Sequence, residues 1–152
     1  MTQFLADSRR INDSQAAHFL ARAEAAGLKA GDKVAILGAA YRGDIDDARD
    51  TPTELLIEAL GKAGYSYETH DPHVTRMVTH CGYPANLTHD LGSALEGASA
   101  AFIMTDHTAY KSLKPEQFGA MKTKLMIDTR RMIDSEQFSQ NGYQMVIVGV
   151  SN

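Results

Sequence analysis

The sequence predicts an α/β chain with a mostly parallel sheet of about five strands. Three observations carry that expectation. Short apolar runs recur along the chain and close on glycine or aspartate. Helical patterns with their own start and stop signals lie between them. The alternation has the spacing of right-handed βαβ units, which cover both faces of a sheet. Together these describe a three-layer, Rossmann-like domain.

Taken in order, residues Ser14 to Ala26 read as a helix with Ala16, Phe19, Leu20 and Ala23 at helical spacing. Ser14 can cap its start and Gly27 can end it. Lys33 to Gly38 is a buried strand. Thr51-Pro52-Thr53-Glu54 opens the next helix, with capping-box spacing and proline at the first helical position. Its predicted apolar face is Leu55, Leu56, Ala59, Leu60 and Ala63, and Gly64 ends it. Tyr65 to His70 is the second strand, stopped by Asp71-Pro72. Val74 to Thr88 reads as loop and Asp90 to Glu96 as a short helix. Ala100 to Met104 is the third strand. His107 to Met121 is helical in two pieces, broken near Pro115. Lys124 to Asp128 and Gln144 to Gly149 supply the fourth and fifth strands.

The bulk properties narrow the function. With 152 residues, 43% of them hydrophobic, the chain can bury one core. A net charge of −4 argues against a general nucleic-acid binder, which needs a basic face. The single cysteine, Cys81, excludes an intrachain disulfide and fits a reducing compartment. The first residues lack a signal-peptide pattern, and no apolar run approaches the roughly 20 residues of a membrane span. The expectation is a soluble, cytoplasmic protein with neither nucleic-acid nor membrane partners.

Ligands of open parallel sheets bind beyond the carboxyl ends of the strands. Three segments qualify: Gly38 to Asp50, Thr105 to Thr108, and Asp128 to Arg131. The first lacks the second glycine of a dinucleotide fingerprint and the Gly-Lys-Ser/Thr of a P-loop. It carries Arg42 and Arg49, whose planar forks suit phosphate. The same arginines could simply pair with Asp44, Asp46, Asp47 and Asp50, and the residues alone leave both readings open. Arg130 follows a strand end and faces the expected crevice. His70, His73, His80 and Cys81 match no usual zinc spacing, and the four aspartates match no calcium loop. No metal is expected, and Cys81 has no base placed beside it by sequence.

In order along the chain, these segments resemble the UDP-glucose/GDP-mannose dehydrogenase family, specifically its C-terminal domain. The family pattern Gly-x-x-Phe/Tyr-Lys/Arg-x-x-x-Asp-Asp-x-Arg-x-Ser/Thr-Pro is met by Gly38, Tyr41, Arg42, Asp46, Asp47, Arg49, Thr51 and Pro52. Asp71-Pro72, Leu91 to Ala98, Thr105-Asp106-His107 and Ile127-Asp128-Thr129-Arg130 resemble later family motifs, with Ser99 in place of an acid. Arg9 to Asp13 resembles the end of the family's central helix.

The resemblance implies residues 1–13 as the end of a central linker helix. It implies residues 14–152 as a UDP-sugar-binding, Rossmann-like domain. It assigns Tyr41, Arg42 and Arg130 to the nucleotide sugar and Arg49 to the NAD diphosphate. The full enzymes oxidise the C6 hydroxyl of a nucleotide sugar with NAD, through a cysteine in a Gly-rich motif of the central domain. That motif and the NAD fingerprint are absent from this sequence, and Cys81 lies in another context. No catalytic residue is therefore expected here. The implied partners are a UDP-sugar, the remaining dehydrogenase domains and, at full length, further copies of the enzyme. The Tyr41-Arg42 form resembles branches that act on UDP-N-acetylhexosamines. Two alternatives remain open: a stand-alone, noncatalytic nucleotide-binding or regulatory module, and a purely structural domain with its arginines locked in ion pairs.

Overall fold

The computed structural model describes residues 15–148. The expected linker-helix end at residues 1–13, the Ser14 cap and Gly149 lie outside the described residues. Helix α1 is described over residues 15–25. It buries Ala16, Leu20 and Ala23, the face its sequence spacing predicts. The remaining elements are β1 (Lys33–Leu37), α2 (Pro52–Lys62), β2 (Ser66–His70), β3 (Leu87–Thr88), α3 (Leu91–Leu95), β4 (Ala100–Ile103), β5 (Leu125–Asp128), α4 (Ser135–Gln140) and β6 (Gln144–Ile147). Two short 3₁₀ helices, Thr108–Ser112 and Pro115–Phe118, stand where the two-piece helix was expected. No helix among the described residues is long and apolar enough to cross a membrane.

The sheet has six strands in the order β3-β2-β1-β4-β5-β6. Every neighbouring pair is parallel. This is the doubly wound order, with its switch point between β1 and β4. The sixth strand is β3, which the sequence reading leaves in a loop. It pairs with β2 through two residue partners, Thr69 with Leu87 and His70 with Thr88. A two-residue strand at a sheet edge carries no apolar run, so periodicity has nothing to detect. Helix α4 likewise has no counterpart among the elements the sequence predicts. It is short and buries only Phe138, while Asp134 caps it by accepting from the Gln137 N–H.

Two apolar layers flank the sheet. One joins Val34, Ile36, Phe102 and Ile127 to Leu56 and Leu60 of α2 and to Leu20 and Ala23 of α1. The other joins Ala35, Leu37, Ile103 and Met126 to Tyr110, Phe118, Phe138 and Tyr143. Alternate residues of each central strand thus feed opposite cores, which explains why these strands are apolar throughout. Rings of Phe118, Phe138 and Tyr143 meet edge to face, with centroids 5.2–6.4 Å apart.

Helix α2 starts as the Thr51-Pro52 signals imply, but not through a reciprocal capping box. Thr51 Oγ1 accepts from the Thr53 N–H, and Glu54 turns away to accept from the His80 N–H at 2.6 Å. Its buried residues are Thr53, Leu56, Ile57 and Leu60. Ala63, expected on the apolar face, is exposed at the C-cap. Gly61 is needed for contact: a Cβ there would overlap the Tyr83 ring. Helix propensity alone would favour Gly61→Ala by about 1 kcal/mol. We expect the opposite sign, a loss of about 1–3 kcal/mol in urea unfolding, because overpacking outweighs propensity. The loss should shrink in a Tyr83→Ala background; an equal loss in both backgrounds would exclude the ring as its cause.

Candidate functional site

The loops after β1, β2, β4 and β5 meet at the carboxyl end of the sheet. At their centre is Asp71, the residue directly after β2, which has no solvent exposure. Its Oδ2 accepts from the backbone N–H groups of Ala39 (2.8 Å) and Ala40 (3.1 Å), in the loop after β1. Oδ1 accepts from the N–H groups of His73 and Val74, both at 2.8 Å. The His107 ring, in the loop after β4, donates from Nε2 to Oδ2 at 2.7 Å. Burial pushes the Asp71 carboxyl up, but the His107 bond and the backbone N–H groups outweigh it. They hold the group well below the usual carboxylate range.

His107 is itself fixed at both nitrogens. Its Nδ1 accepts from the Asp44 N–H at 2.9 Å, so the proton must sit on Nε2. Residues 43–44 and 106–108 are joined by further bonds. The Gly43 N–H donates to Asp106 Oδ1 at 3.0 Å. Asp44 accepts from the Thr108 N–H (2.8 Å) and hydroxyl (2.5 Å), which lowers its pKa. Asp44 adopts φ 63°, the left-handed conformation that aspartate tolerates. Upstream, Gly38 has φ 111°, and a Cβ there would strike the Thr105 side chain. The Gly38 carbonyl accepts from Thr53 Oγ1, and the Ala40 carbonyl from Thr51 and Thr105.

Each arginine singled out by sequence lies on this rim. Tyr41 and Arg42 are exposed on the loop after β1, with Tyr41 at 55% of its full accessibility. Arg42 has no ion-pair partner within 4 Å among the described residues; its field helps to depress Asp47. Arg49 forms a two-pronged bond to Asp47, with Nε at 3.0 Å and Nη2 at 2.9 Å. That bond is the first cause holding the Asp47 pKa at about 2. Arg130 follows β5, where Asp128 accepts from the N–H groups of Arg130, Met132 and Ile133. Its guanidinium pairs with Asp106 Oδ2 at 3.4 Å. One carboxylate, Asp106, therefore links the backbone beside Arg42 to the side chain of Arg130. The neighbour-pairing alternative describes Arg49 and leaves Arg42 out.

Sequence reasoning did not single out Asp71, His107 or Asp106 as site residues. The strand-end signal places Asp106 and His107 in the ligand-edge segment Thr105 to Thr108, but it does not distinguish which of its residues has a role. Asp44, His73 and His107 bring one potential metal-ligand atom each to within 4.8 Å of one another. Both His107 nitrogens are already engaged, and both Asp44 oxygens hold Thr108. Two of the three donors, Asp44 and His107, are thus already engaged in protein hydrogen bonds.

Comparison with known proteins fits this geometry. Residues 35–135 match the description "UDP-glucose/GDP-mannose dehydrogenase family, UDP binding domain". The chain belongs to that family. The UDP-N-acetyl-D-mannosamine dehydrogenase of Methanocaldococcus jannaschii is 27% identical over 146 residues, covering 93% of this chain and 33% of the relative. That of Pyrococcus horikoshii is 36% identical over 133 residues, covering 83% and 29%. The crystal structure of NDP-N-acetyl-D-galactosaminuronic acid dehydrogenase from Methanosarcina mazei Go1 superposes with a TM-score of 0.81 at 33% identity. It covers 95% of this chain and 31% of that one. The chain thus spans about a third of the length of these relatives and corresponds to their C-terminal UDP-binding domain.

The Asp71 network has a measurable consequence. Asp71→Asn keeps the volume but removes acceptor capacity from a buried cluster, at a cost of about 3 kcal/mol in urea unfolding. An unchanged midpoint would show that other contacts hold the loops. The pH dependence follows from the signs. Burial, the largest effect, and the neighbouring histidines lower His70 below its ordinary 6.5, against the opposing pull of Asp71. The unfolded chain therefore takes that proton first, and stability falls as pH drops below 6.5. Asp71, folded well below its ordinary 3.8, adds a second loss as pH falls under that value. His70→Asn should flatten the upper segment, and Asp71→Asn the lower one.

Proposed function

We propose that this chain is the UDP-gripping domain of an NAD-dependent nucleotide-sugar 6-dehydrogenase, in which Arg42, Tyr41 and Arg130 contact the nucleotide sugar. The observation that carries the reading is the shared rim. Arg42 and Arg130 project from loops tied to one carboxylate, at the switch point of a matched UDP-binding domain. Arginine there suits a diphosphate, because its fork donates two parallel bonds to phosphate oxygens. Tyr41 offers an exposed ring beside them, a surface for an apolar face of the ligand. Arg49 is assigned to the NAD diphosphate. Its side chain is 88% exposed, and its pair with Asp47 is of the surface kind that costs little to exchange.

In this reading the domain holds the nonreacting end of the substrate. That binding energy would position the C6 hydroxyl for oxidation by residues elsewhere in the enzyme. The likeness to acetylhexosamine dehydrogenases supports a UDP-N-acetylhexosamine as substrate. A cytoplasmic setting fits the single cysteine. At full length we infer a homo-oligomer.

Calorimetry with UDP tests the reading. The 152-residue chain should bind UDP weakly, with a Kd of about 1 mM, since only part of the site is present. Arg42→Glu should abolish the heat, and Arg130→Ala should weaken binding about tenfold. Silence with the unaltered chain at several times that concentration would remove the ligand assignment. NADH formation by this chain alone, with NAD and a UDP-sugar, would overturn the division of labour.

A further inference from the structure

We propose that Asp106 is a positioning residue: it couples the Arg42 loop to Arg130, so that the two guanidinium groups meet a diphosphate as one preset pair. The use of that pair rests on the UDP-binding reading above; the coupling itself does not. Two independent features point to it. First, the two Asp106 oxygens serve different loops. Oδ1 accepts the N–H of Gly43, next to Arg42 in the chain, and Oδ2 takes the Arg130 guanidinium. Second, residue 43 must be glycine for this contact. A Cβ on Gly43 would collide with the Asp106 backbone carbonyl, so the loop lies directly on residue 106. The neighbouring bonds from Asp44 to His107 and Thr108 fix the same docking and leave Asp106 with no freedom to follow one loop alone.

The charge balance suits positioning rather than neutralisation. Asp106 and Arg130 are both about half exposed, at 45% and 42% of side-chain accessibility. Their single contact at 3.4 Å engages one Nη of Arg130. The guanidinium keeps donors for an incoming phosphate. What the pair supplies is orientation of a long side chain before ligand arrives, which reduces the ordering cost of binding.

The test has two arms on the full 152-residue chain. In ¹H–¹⁵N spectra, Arg130→Ala should move the Gly43 amide resonance, and Asp106→Asn should move both that amide and the Arg130 guanidinium signals. The amide of Gly97, at the opposite end of the sheet, should stay in place as a control for intact folding. In calorimetry with UDP, Asp106→Asn should weaken binding about fivefold, the scale of one exposed charged contact. The same substitution should have no effect in an Arg130→Ala background, and Asp106→Glu should recover part of the loss. A Gly43 amide indifferent to Arg130→Ala, or an equal Asp106→Asn effect in both backgrounds, overturns the coupling and leaves the UDP reading standing. A coupled spectrum in a chain that binds no UDP upholds the coupling and removes the UDP reading instead.

Discussion

The architecture of the ligand edge depends on one buried carboxylate. Asp71 accepts four backbone N–H bonds and one ring N–H bond while exposing no surface to solvent. Desolvating an ion of this kind costs several kcal/mol, so it persists only where donors replace its hydration. Here the donors come from three loops: residues 39–40, 73–74 and 107. The cost of stripping the ion is thereby offset only when all three loops are in place. That requirement converts a set of flexible connections into a single rim.

His107 extends the constraint outward. Because Nδ1 accepts from Asp44 and Nε2 donates to Asp71, the ring can occupy one tautomer in one orientation. The loop after β1 is then fastened at residues 39–40 by the carboxylate and at residue 44 by the ring. Residues 41–43 bridge these two anchors, and Arg42 lies at their middle. The Tyr41 N–H bond to the Asp47 carbonyl closes the return of the loop. A long loop with an exposed tip thus gains defined geometry without covering its own arginine.

β1, β4 and β5 were legible because they are short and apolar on both faces. Val34 to Leu37, Ala100 to Ile103 and Leu125 to Ile127 read as buried strands and are buried strands. β3 and α4 were not legible, since Leu87–Thr88 is held by β2 and α4 buries a single aromatic. At the site, periodicity supplied the positions of Arg42 and Arg130 relative to strand ends. It did not supply partners. Arg49 folds back on Asp47 two residues away, one of the pairings the sequence leaves open, whereas Arg130 reaches Asp106 only through loop docking across more than 20 residues of chain. The motif order, by contrast, carried the family directly, because it records several strand ends at once.

The acidic composition of the first loop is best understood through these contacts. Asp44 holds Thr108, Asp46 holds the Thr75 N–H and hydroxyl, and Asp47 holds Arg49. Each of these three carboxylates therefore faces donors from its own or another loop and acts as a fastener. Arg42 is left with long-range attraction to Asp47 but no contact partner among the described residues. A chain of net charge −4 can in this way present a local cationic point at its ligand edge. The aspartates keep their charge, but Asp44, Asp46 and Asp47 are each engaged by donors, whereas the Arg42 guanidinium at the loop tip is exposed.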